Sequence, residues 1–283
     1  MKTFFALLAL MVIGCNASGK ETTYTGSTPA HAVVREFLGI SLTDSIDFIR
    51  WKLVIRPEAY ELNCQYGLGK GGTNGFVDGK GVEFSGKLRK QGHYCFLLRE
   101  GRTISILELN SNLLHLLDGN KNLLVGNGGY SYALNSNTPV KSYQFNHPLI
   151  QPSPEYHMAF QGRTPCQELS ILLGKRSIPA CDKIKWYIVF FTDSITGKPS
   201  YCLEGGRAYR KETMAKGSWE IIPKDGRIIY KLNLPRWPNP LYLLKADDNI
   251  LFFTDAEGNL LVGNENFSYT LNRTDDREPK TGN

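Results

Sequence analysis

Residues 112–135 of the chain read NLLHLLDGNKNLLVGNGGYSYALN, and residues 249–272 read NILFFTDAEGNLLVGNENFSYTLN. The two segments align without a gap at an offset of 137 residues, and 13 of their 24 positions are identical. A period of this length is too long for a solenoid repeat and fits a duplicated domain. The sequence therefore predicts two copies of one domain, each ending in this segment.

Both copies have the pattern of antiparallel β structure. Residues 51–55 (WKLVI) and 186–191 (WYIVFF) are rich in the β-branched and aromatic residues that strands favour. In each repeated segment two apolar runs flank a polar turn, at residues 118–122 and 255–259, which is the pattern of a hairpin. Turn residues recur about every ten positions, which is typical of a β-sandwich or β-barrel.

The polar residues of the repeated segment have a structural interpretation. Asp118 and Asp255 suggest metal ligands, but an Asp in a hairpin turn more often accepts hydrogen bonds from its own backbone. The Gly-Asn pairs that begin at Gly126 and Gly263 are interpreted as turns in which one residue adopts a positive φ. Neither pattern by itself indicates a reaction.

The first fifteen residues, MKTFFALLALMVIGC, have the pattern of a lipoprotein signal peptide. One Lys precedes an apolar run that is too short to span a bilayer as an ordinary transmembrane helix. Residues 12–15 (VIGC) resemble the bacterial lipobox, which implies that the thiol of Cys15 carries a diacylglyceryl group and holds the protein on a membrane. The alternative is a soluble secreted protein whose signal peptide contains Cys15. No acidic cluster follows Cys15, which favours the periplasmic face of the outer membrane.

These features divide the chain into six segments. We predict a signal peptide at residues 1–14, a flexible tether at 15–34, a first β domain at 35–137, a proline-rich linker at 138–157, a second β domain at 158–273 and a disordered tail at 274–283. The expected fold class is all-β, with two duplicated small antiparallel β-barrel or β-sandwich domains after the signal peptide.

The second copy resembles a known family of lipoproteins. Residues 160–166 (FQGRTPC), a Gly-Ser-Trp element at residues 217–219 and leucine-rich hairpins around an Asp resemble the N-terminal domain of the copper-resistance lipoprotein NlpE. The resemblance implies a small antiparallel barrel related in shape to lipocalins, in an outer-membrane lipoprotein linked to envelope stress or copper handling. That family carries F-x-G-x-x-P-C-A-D-C, and this chain has Leu169 at the position of the second Cys. Copper binding is therefore not carried over, and no metal or cofactor is expected.

Two cysteines of the second copy are the best candidates for a disulfide. Cys166 and Cys181 are both missing from the first copy, as a bonded pair would be. Cys166 lies at the start of residues 164–175, which favour a short helix with Thr164 as its N-cap, and Cys181 follows that helix. No His lies between or beside them, so a disulfide in an oxidising compartment is favoured over a metal site.

The remaining cysteines lie in stretches that favour strands. Cys64 and Cys95 could pair with one another, which would leave Cys202 as a free, buried residue. Cysteine–histidine catalysis is the alternative, because His93 precedes Cys95 by two residues and such neighbours share a face of a strand. Without a further catalytic motif in the sequence, we do not expect an enzyme.

The charge of the chain argues against a nucleic-acid partner. The formal net charge is +6, and the 33 Lys and Arg residues form no basic run that would follow phosphates. A loop contact with a protein or a glycan is possible at Trp237, which lies in a proline-rich insertion, PRWPNP, at residues 235–240. The alternative is that Trp237 covers the mouth of the second barrel.

The expected function is a membrane-anchored envelope lipoprotein that acts as a non-catalytic binding or stress-sensing module. Barrel mouths hold small apolar ligands when the interior is wide enough. The alternative is a structural or protein-interaction lipoprotein whose barrels are filled and which engages another envelope protein. A cavity in either barrel would favour the first hypothesis, and a packed interior would favour the second.

Overall fold

The computed structural model describes residues 21–148, 155–176, 180–205 and 214–274. Within these residues sixteen strands form two closed antiparallel barrels of eight strands each, which confirms the duplicated all-β fold. The first barrel contains β1 Thr22–Thr28, β2 Phe48–Ile55, β3 Ala59–Gly69, β4 Phe76–Gln91, β5 Tyr94–Arg99, β6 Arg102–Asn110, β7 Leu113–Leu116 and β8 Ala133–Ser136. The second contains β9 His157–Pro165, β10 Lys183–Thr192, β11 Pro199–Gly205, β12 Ala215–Lys224, β13 Arg227–Asn233, β14 Leu241–Lys245, β15 Ile250–Thr254 and β16 Thr270–Thr274.

Each barrel is an up-and-down meander in which every strand pairs with the next along the chain. The last strand pairs with the first, β8 with β1 and β16 with β9, and this closes each sheet on itself. Closure pairs the first and last strands of each sheet, which would otherwise be open edges. The short turns between strands explain why turn residues recur so regularly in the sequence.

The first barrel begins inside the segment that was predicted to be a tether. Strand β1 pairs with β2 along its whole length, from Thr22 opposite Ile55 to Thr28 opposite Ile49. The tether prediction is therefore wrong from Thr22 onwards. Threonines and a tyrosine in TTYTGST favour a strand, and the interpretation of these residues as flexible gave too much weight to Gly and Ser.

The first strands of the two barrels carry matching residues. Gly26 and Gly162 occupy equivalent places, because an added Cβ would lie 2.8 Å from the carbonyl oxygen of Ala133 in the first barrel and 2.5 Å from that of Thr270 in the second. The indole of Trp51 donates a hydrogen bond to the hydroxyl of Thr28 at 2.9 Å. Trp186 and Thr164 form the same bond at 2.8 Å. The duplication therefore begins at the first strand of each barrel.

Large apolar side chains fill both interiors. In the first barrel the buried cluster includes Tyr24, Phe37, Trp51, Leu53, Tyr60, Leu62, Leu97, Ile106 and Tyr132. In the second it includes Phe160, Trp186, Phe190, Trp219, Tyr230, Leu243, Phe253 and Tyr269. Burial of this much apolar and aromatic surface is the main stabilising contribution to each barrel. The inner space is packed rather than open along its length.

A short helix covers one end of each barrel. Helix α1, Ala32–Leu38, follows β1 and ends at Gly39, whose φ of 72° is a left-handed C-cap that glycine adopts without strain. Helix α2, Gln167–Leu172, follows β9 and is shorter than predicted. Its N-cap residue is Cys166 rather than Thr164, because Thr164 belongs to β9 and accepts the bond from Trp186. Neither helix in the described part of the chain is long and apolar enough to cross a membrane.

The two barrels meet through the repeated segment itself. The backbone N–H of Gly126 donates to the side-chain oxygen of Asn272 at 2.7 Å, and that of Gly263 donates to Asn135 at 2.7 Å. The two bonds are related by the offset of 137 residues, since 126 + 137 = 263 and 135 + 137 = 272. The interface therefore has the pattern of a two-fold symmetric dimer within one chain.

The same relation holds for the apolar part of the interface. A buried cluster joins both barrels, and it contains equivalent residues of the two copies, such as Leu107 and Leu244 or Leu113 and Ile250. The ring of His115 lies edge-on to Phe252, its equivalent, with centroids 6.0 Å apart. In the repeated segments, residues outside the turns therefore have two structural roles: they form strands, and they form the interface between the barrels.

The repeated glycines are required by close approach. An added Cβ on Gly126 would lie 2.2 Å from the carbonyl oxygen of Tyr130, and one on Gly263 would lie 2.3 Å from that of Phe267. No residue of the two Gly-Asn pairs, 126–127 and 263–264, has a positive φ, so the prediction of a left-handed residue in each pair is wrong. The prediction for the aspartates is confirmed, since Asp118 accepts bonds from the backbone of Asn122 and Asp255 accepts one from that of Asn259.

Candidate functional site

The end of the first barrel at which β1 begins contains an open cleft of about 360 Å³. We call it the rim cleft. It is lined by Thr22, Tyr24, Ile55, Arg56, Pro57, Lys90, Glu108, Ser111, Leu114, Ser136, Thr138 and Val140. A volume of this size lies at the lower end of the range for small-molecule sites. The lining mixes apolar side chains with hydroxyls and with charged groups at the edge.

Hydroxyl groups lie at the base of the rim cleft. The phenol of Tyr24 donates to the carbonyl oxygen of Ser111 at 3.1 Å. Burial raises the pKa of Tyr24, so its hydroxyl stays protonated and neutral at every physiological pH. Ser136 pairs with Tyr24 across β8 and β1. Ser111 and Ser136, which have small side chains, line the cleft together with Tyr24.

Charged side chains surround the opening. Arg56 contacts Glu21 at 2.9 Å and Glu61 at 2.7 Å. Lys90 lies 3.5 Å from Glu108. Exposed pairs of this kind contribute little to stability, because water screens them. A polar group at the opening of the cleft could therefore contact either a cation or a carboxylate.

The equivalent end of the second barrel is filled. Arg273 occupies the position of Ser136, and it forms an ion pair with both oxygens of Glu155. Its guanidinium also donates to the carbonyl oxygen of Asp248 at 3.3 Å and lies 5.7 Å from the centre of the Phe160 ring. Asp248 in turn contacts Lys245 at 2.6 Å.

The two ends differ at three equivalent positions. The offset of 137 places Ser136 with Arg273, Ser111 with Asp248 and Glu108 with Lys245. In the second barrel these positions hold longer or charged side chains: Lys245 pairs with the carboxylate of Asp248, and Arg273 donates to the backbone carbonyl of Asp248. In the first barrel two of them hold serine. The rim cleft is therefore the consequence of specific substitutions between the copies and is not a general feature of the fold.

The predicted disulfide of the second copy is confirmed. Cys166 and Cys181 are bonded, with their Cα atoms 5.8 Å apart. The bond joins the start of α2 to the segment that precedes β10. Leu169, at the place of the second cysteine in the NlpE-like motif, is 1% exposed and packs in the barrel core. The sulfur of Cys166 is therefore bonded to that of Cys181 and is not a free thiol.

The suggested Cys64–Cys95 disulfide is wrong, because both thiols are free and buried. Cys64 lies opposite Val82 on β4, and Cys95 lies opposite Lys90 on the same strand. Eight residues of strand correspond to about 26 Å, which no disulfide can bridge. Cys202 is free and buried, as predicted.

Cys95 and His93 do not have the properties of a catalytic cysteine–histidine pair. Cys95 is 1% exposed, and burial raises the pKa of its thiol. His93 is exposed in the turn before β5. A nucleophilic cysteine needs a lowered pKa and an adjacent base. In the described part of the chain no group of three or more His, Cys, Asp or Glu side chains could hold a metal ion.

Trp237 is not exposed for a partner. It is 5% exposed, and its ring lies 5.8 Å from that of Trp186 in the core of the second barrel. The ammonium of Lys175 lies 4.6 Å from the centre of the same ring. The contact hypothesis is therefore wrong, and the alternative in which Trp237 covers a barrel end agrees with the structure.

Cys15, the predicted lipid attachment site, lies outside the described residues and stays a prediction. The open rim of the first barrel was not found from the sequence. The available signal was the pair of serines at positions where the second copy has Arg273 and Asp248. Comparison of the chain with protein-family models, with curated proteins and with solved structures finds no match in any of the three.

Proposed function

We propose that the protein is a membrane-anchored lipoprotein of the cell envelope that binds a small amphiphilic ligand in the rim cleft and catalyses no reaction. The observation that carries the proposal is the difference between the barrel ends. Arg273 and its partners fill the end of the second barrel, whereas Ser136 and Ser111 leave the equivalent space free.

The composition of the rim cleft favours an amphiphile. Ile55, Leu114 and Val140 offer apolar surface, and hydroxyls lie beside them. Arg56 and Lys90 can meet a negatively charged or polar head group at the opening. An aliphatic body with a polar head matches this distribution better than a fully polar ligand does.

The position of β1 relative to Cys15 supports a ligand from the membrane. Six residues lie between Cys15 and Thr22, which lines the cleft. The seven steps from one to the other span at most about 25 Å in a fully extended chain. A lipid on Cys15 would therefore keep the rim cleft close to the bilayer surface, on the outer membrane facing the periplasm. The tether is shorter than the one predicted from the sequence.

The second candidate function is protein interaction by a rigid double barrel. The packed interiors favour it, because Trp51, Tyr60 and Tyr132 in the first barrel and the aromatic cluster of the second are buried in the barrel cores. Under this alternative the rim cleft would hold water only. The relation to envelope stress implied by the NlpE resemblance is compatible with either candidate.

A fluorescence titration separates the two candidates. Dansyl-undecanoic acid, an amphiphile with an environment-sensitive fluorophore, is added to the purified protein, and the enhancement of its emission is measured. We expect saturable binding to the wild type and loss of binding in Ser136→Arg, which copies Arg273 into the cleft. Ser111→Arg, at an exposed position, provides a second variant in case the first does not fold.

Arg273→Ser in the second barrel is the reciprocal variant for the titration, and it should keep or increase the binding seen in the wild type. It removes the side chain that fills the equivalent end and leaves the rim cleft unchanged. Binding by wild type and by Ser136→Arg with equal affinity would contradict the proposed site, provided both proteins melt cooperatively. Absence of binding in the wild type would favour the interaction candidate.

A further inference from the structure

A second open groove lies in the wall of the first barrel and shares no residue with the rim cleft. It has a volume of about 530 Å³ and is lined by residues 84–87 of β4 and by residues 98–103, which contain the turn between β5 and β6. We call it the wall groove. Strand β4 pairs with β5 only from Lys87 to Gln91, while residues 76–87 remain paired with β3. The groove is the gap that opens where β4 leaves β5.

Positive charge predominates along the wall groove. Its lining contains Lys87, Arg99 and Arg102, and its one carboxylate is that of Glu100. Glu100 lies 3.7 Å from the Nε of Arg99, and its side chain is 74% exposed, so water screens this pair strongly. Lys87 and Arg102 form no ion pair within the described residues. Two cations thus remain without a counter-charge around one open space.

Arg99 is held in place in a way that suits a bound anion. Its guanidinium lies 3.8 Å from the centre of the Phe84 ring. It donates one hydrogen bond to the carbonyl oxygen of Leu38, at the end of α1, at 3.2 Å. A guanidinium has five N–H donors, and most of those of Arg99 are left for other partners. The restrained side chain loses less entropy on binding than a free one would.

The region of the second barrel that corresponds to the wall groove is closed. The turn between its fifth and sixth strands is the insertion at residues 234–240, whereas the first barrel has only Glu100 and Gly101 there. The insertion places Trp237 in the core, and Arg236 contacts the buried carboxylate of Glu204 at 3.2 Å. In the second barrel Arg236 is therefore paired with a carboxylate, and the insertion fills the gap between the strands. In the first barrel the wall groove stays open.

We propose that the wall groove binds a phosphate-bearing ligand, with Lys87, Arg99 and Arg102 as its anion contacts. Guanidinium groups match the geometry of phosphate oxygens in bidentate hydrogen bonds, and an ammonium adds a point charge. The volume exceeds that of a phosphate alone, so the groove has room for the group to which the phosphate is attached. A phospholipid head group and a free phosphate ester both have this chemistry.

Two binding assays on the full-length protein test the proposal and distinguish the sources. Sodium pyrophosphate is titrated calorimetrically as the free probe. Vesicles of phosphatidylcholine with and without phosphatidylglycerol are used for cosedimentation. The site variant is Lys87→Gln combined with Arg102→Gln. The control is Lys52→Gln combined with Lys198→Gln, which removes the same charge at exposed positions elsewhere.

The expected result is binding of at least one probe that weakens about tenfold or more in the site variant and stays unchanged in the control. Pyrophosphate binding with this pattern indicates a soluble ligand. Binding confined to phosphatidylglycerol vesicles, with the same pattern, indicates a lipid head group. Lack of binding to either probe, or an equal loss in both double variants, would overturn the proposal.

Discussion

The hydroxyl oxygens of Ser131 and Ser268 lie 2.5 Å apart at the centre of the boundary between the two barrels, and these two serines are the same residue of the repeat. Each residue therefore meets its own copy across an approximate two-fold axis. In an isologous interface a residue on the axis can only meet itself. The arrangement is the one a homodimer of single barrels would have, joined here in one chain.

The first prediction concerns the repeated glycine. Gly126→Ala should destabilise the protein by about 1–3 kcal/mol, because the new methyl group overlaps the carbonyl of Tyr130 and displaces the side chain of Asn272. Gly119→Ala is the matched control, since nothing lies within 4 Å of its Cβ, and its effect should stay within about 0.5 kcal/mol. Urea unfolding at equilibrium measures both. Equal effects of the two changes would show that Gly126 is not a contact residue.

The second prediction tests the reciprocity of the interface. Asn135→Ala and Asn272→Ala each leave one backbone N–H unpaired, on Gly263 and Gly126 respectively. Each loss should cost about 1–3 kcal/mol of unfolding free energy, because a backbone donor loses its partner. Asn135 also donates to the carbonyl oxygen of Asn264 at 3.2 Å, so its replacement should cost at least as much as that of Asn272. Chemical denaturation of both single variants is the measurement. A large cost for one and none for the other would contradict the symmetric interface.

The third prediction is a dependence of stability on pH at the same interface. Burial lowers the pKa of His115 from 6.5 to about 4. The folded state therefore holds the neutral ring, and the stabilising contribution is complete above pH 6.5. It decreases as the pH falls from 6.5 towards 4, by up to about 3 kcal/mol. Denaturation curves between pH 4 and 7.5 measure this loss.

Variants at two histidines isolate that effect. His115→Phe copies Phe252, the equivalent residue of the second barrel, and should reduce the loss of stability at low pH. His93→Phe changes an exposed histidine and should leave the slope as in the wild type. Burial raises the pKa of Asp247 near the interface, which acts in the opposite direction, so Asp247→Asn in both backgrounds completes the comparison. An unchanged slope in His115→Phe would contradict the assignment.

The fourth prediction concerns the disulfide. Replacing Cys166 and Cys181 by Ser should destabilise the second barrel by about 3 kcal/mol, the value expected for a loop of this length. The first barrel contains no part of the loop. Alkylation after denaturation without reductant, followed by mass spectrometry, should modify Cys64, Cys95 and Cys202 and leave Cys166 and Cys181 unmodified. Labelling of all five would contradict the assignment.

The sequence predicted the fold class because the relevant information is local or repeated. Alternation and turn residues indicated strands, and the internal match indicated duplication. The start of the first barrel was missed, since TTYTGST contains residues common to tethers and strands alike. Only pairing with β2 and β8 decides between them, and that pairing is a contact between distant parts of the chain.

The candidate site was beyond sequence reasoning for a related reason. Ser136 and Ser111 are unremarkable residues until Arg273 and Asp248 show what occupies the same space in the other copy. Trp237 looked exposed because prolines surround it, but the surface that it covers is formed by Trp186 and α2. The sequence identified an interaction correctly where both partners lie close together in the chain, as Cys166 and Cys181 do.

Native mass spectrometry of the mature protein, extracted gently from its own membrane, tests the central claim that the rim cleft holds a ligand. We expect a diacylglyceryl mass on Cys15 and a small noncovalent adduct that is present in the wild type, lost on denaturation and absent from Ser136→Arg. The mass of that adduct would identify the ligand class. A wild-type protein without an adduct, or an adduct retained in Ser136→Arg, would contradict the claim.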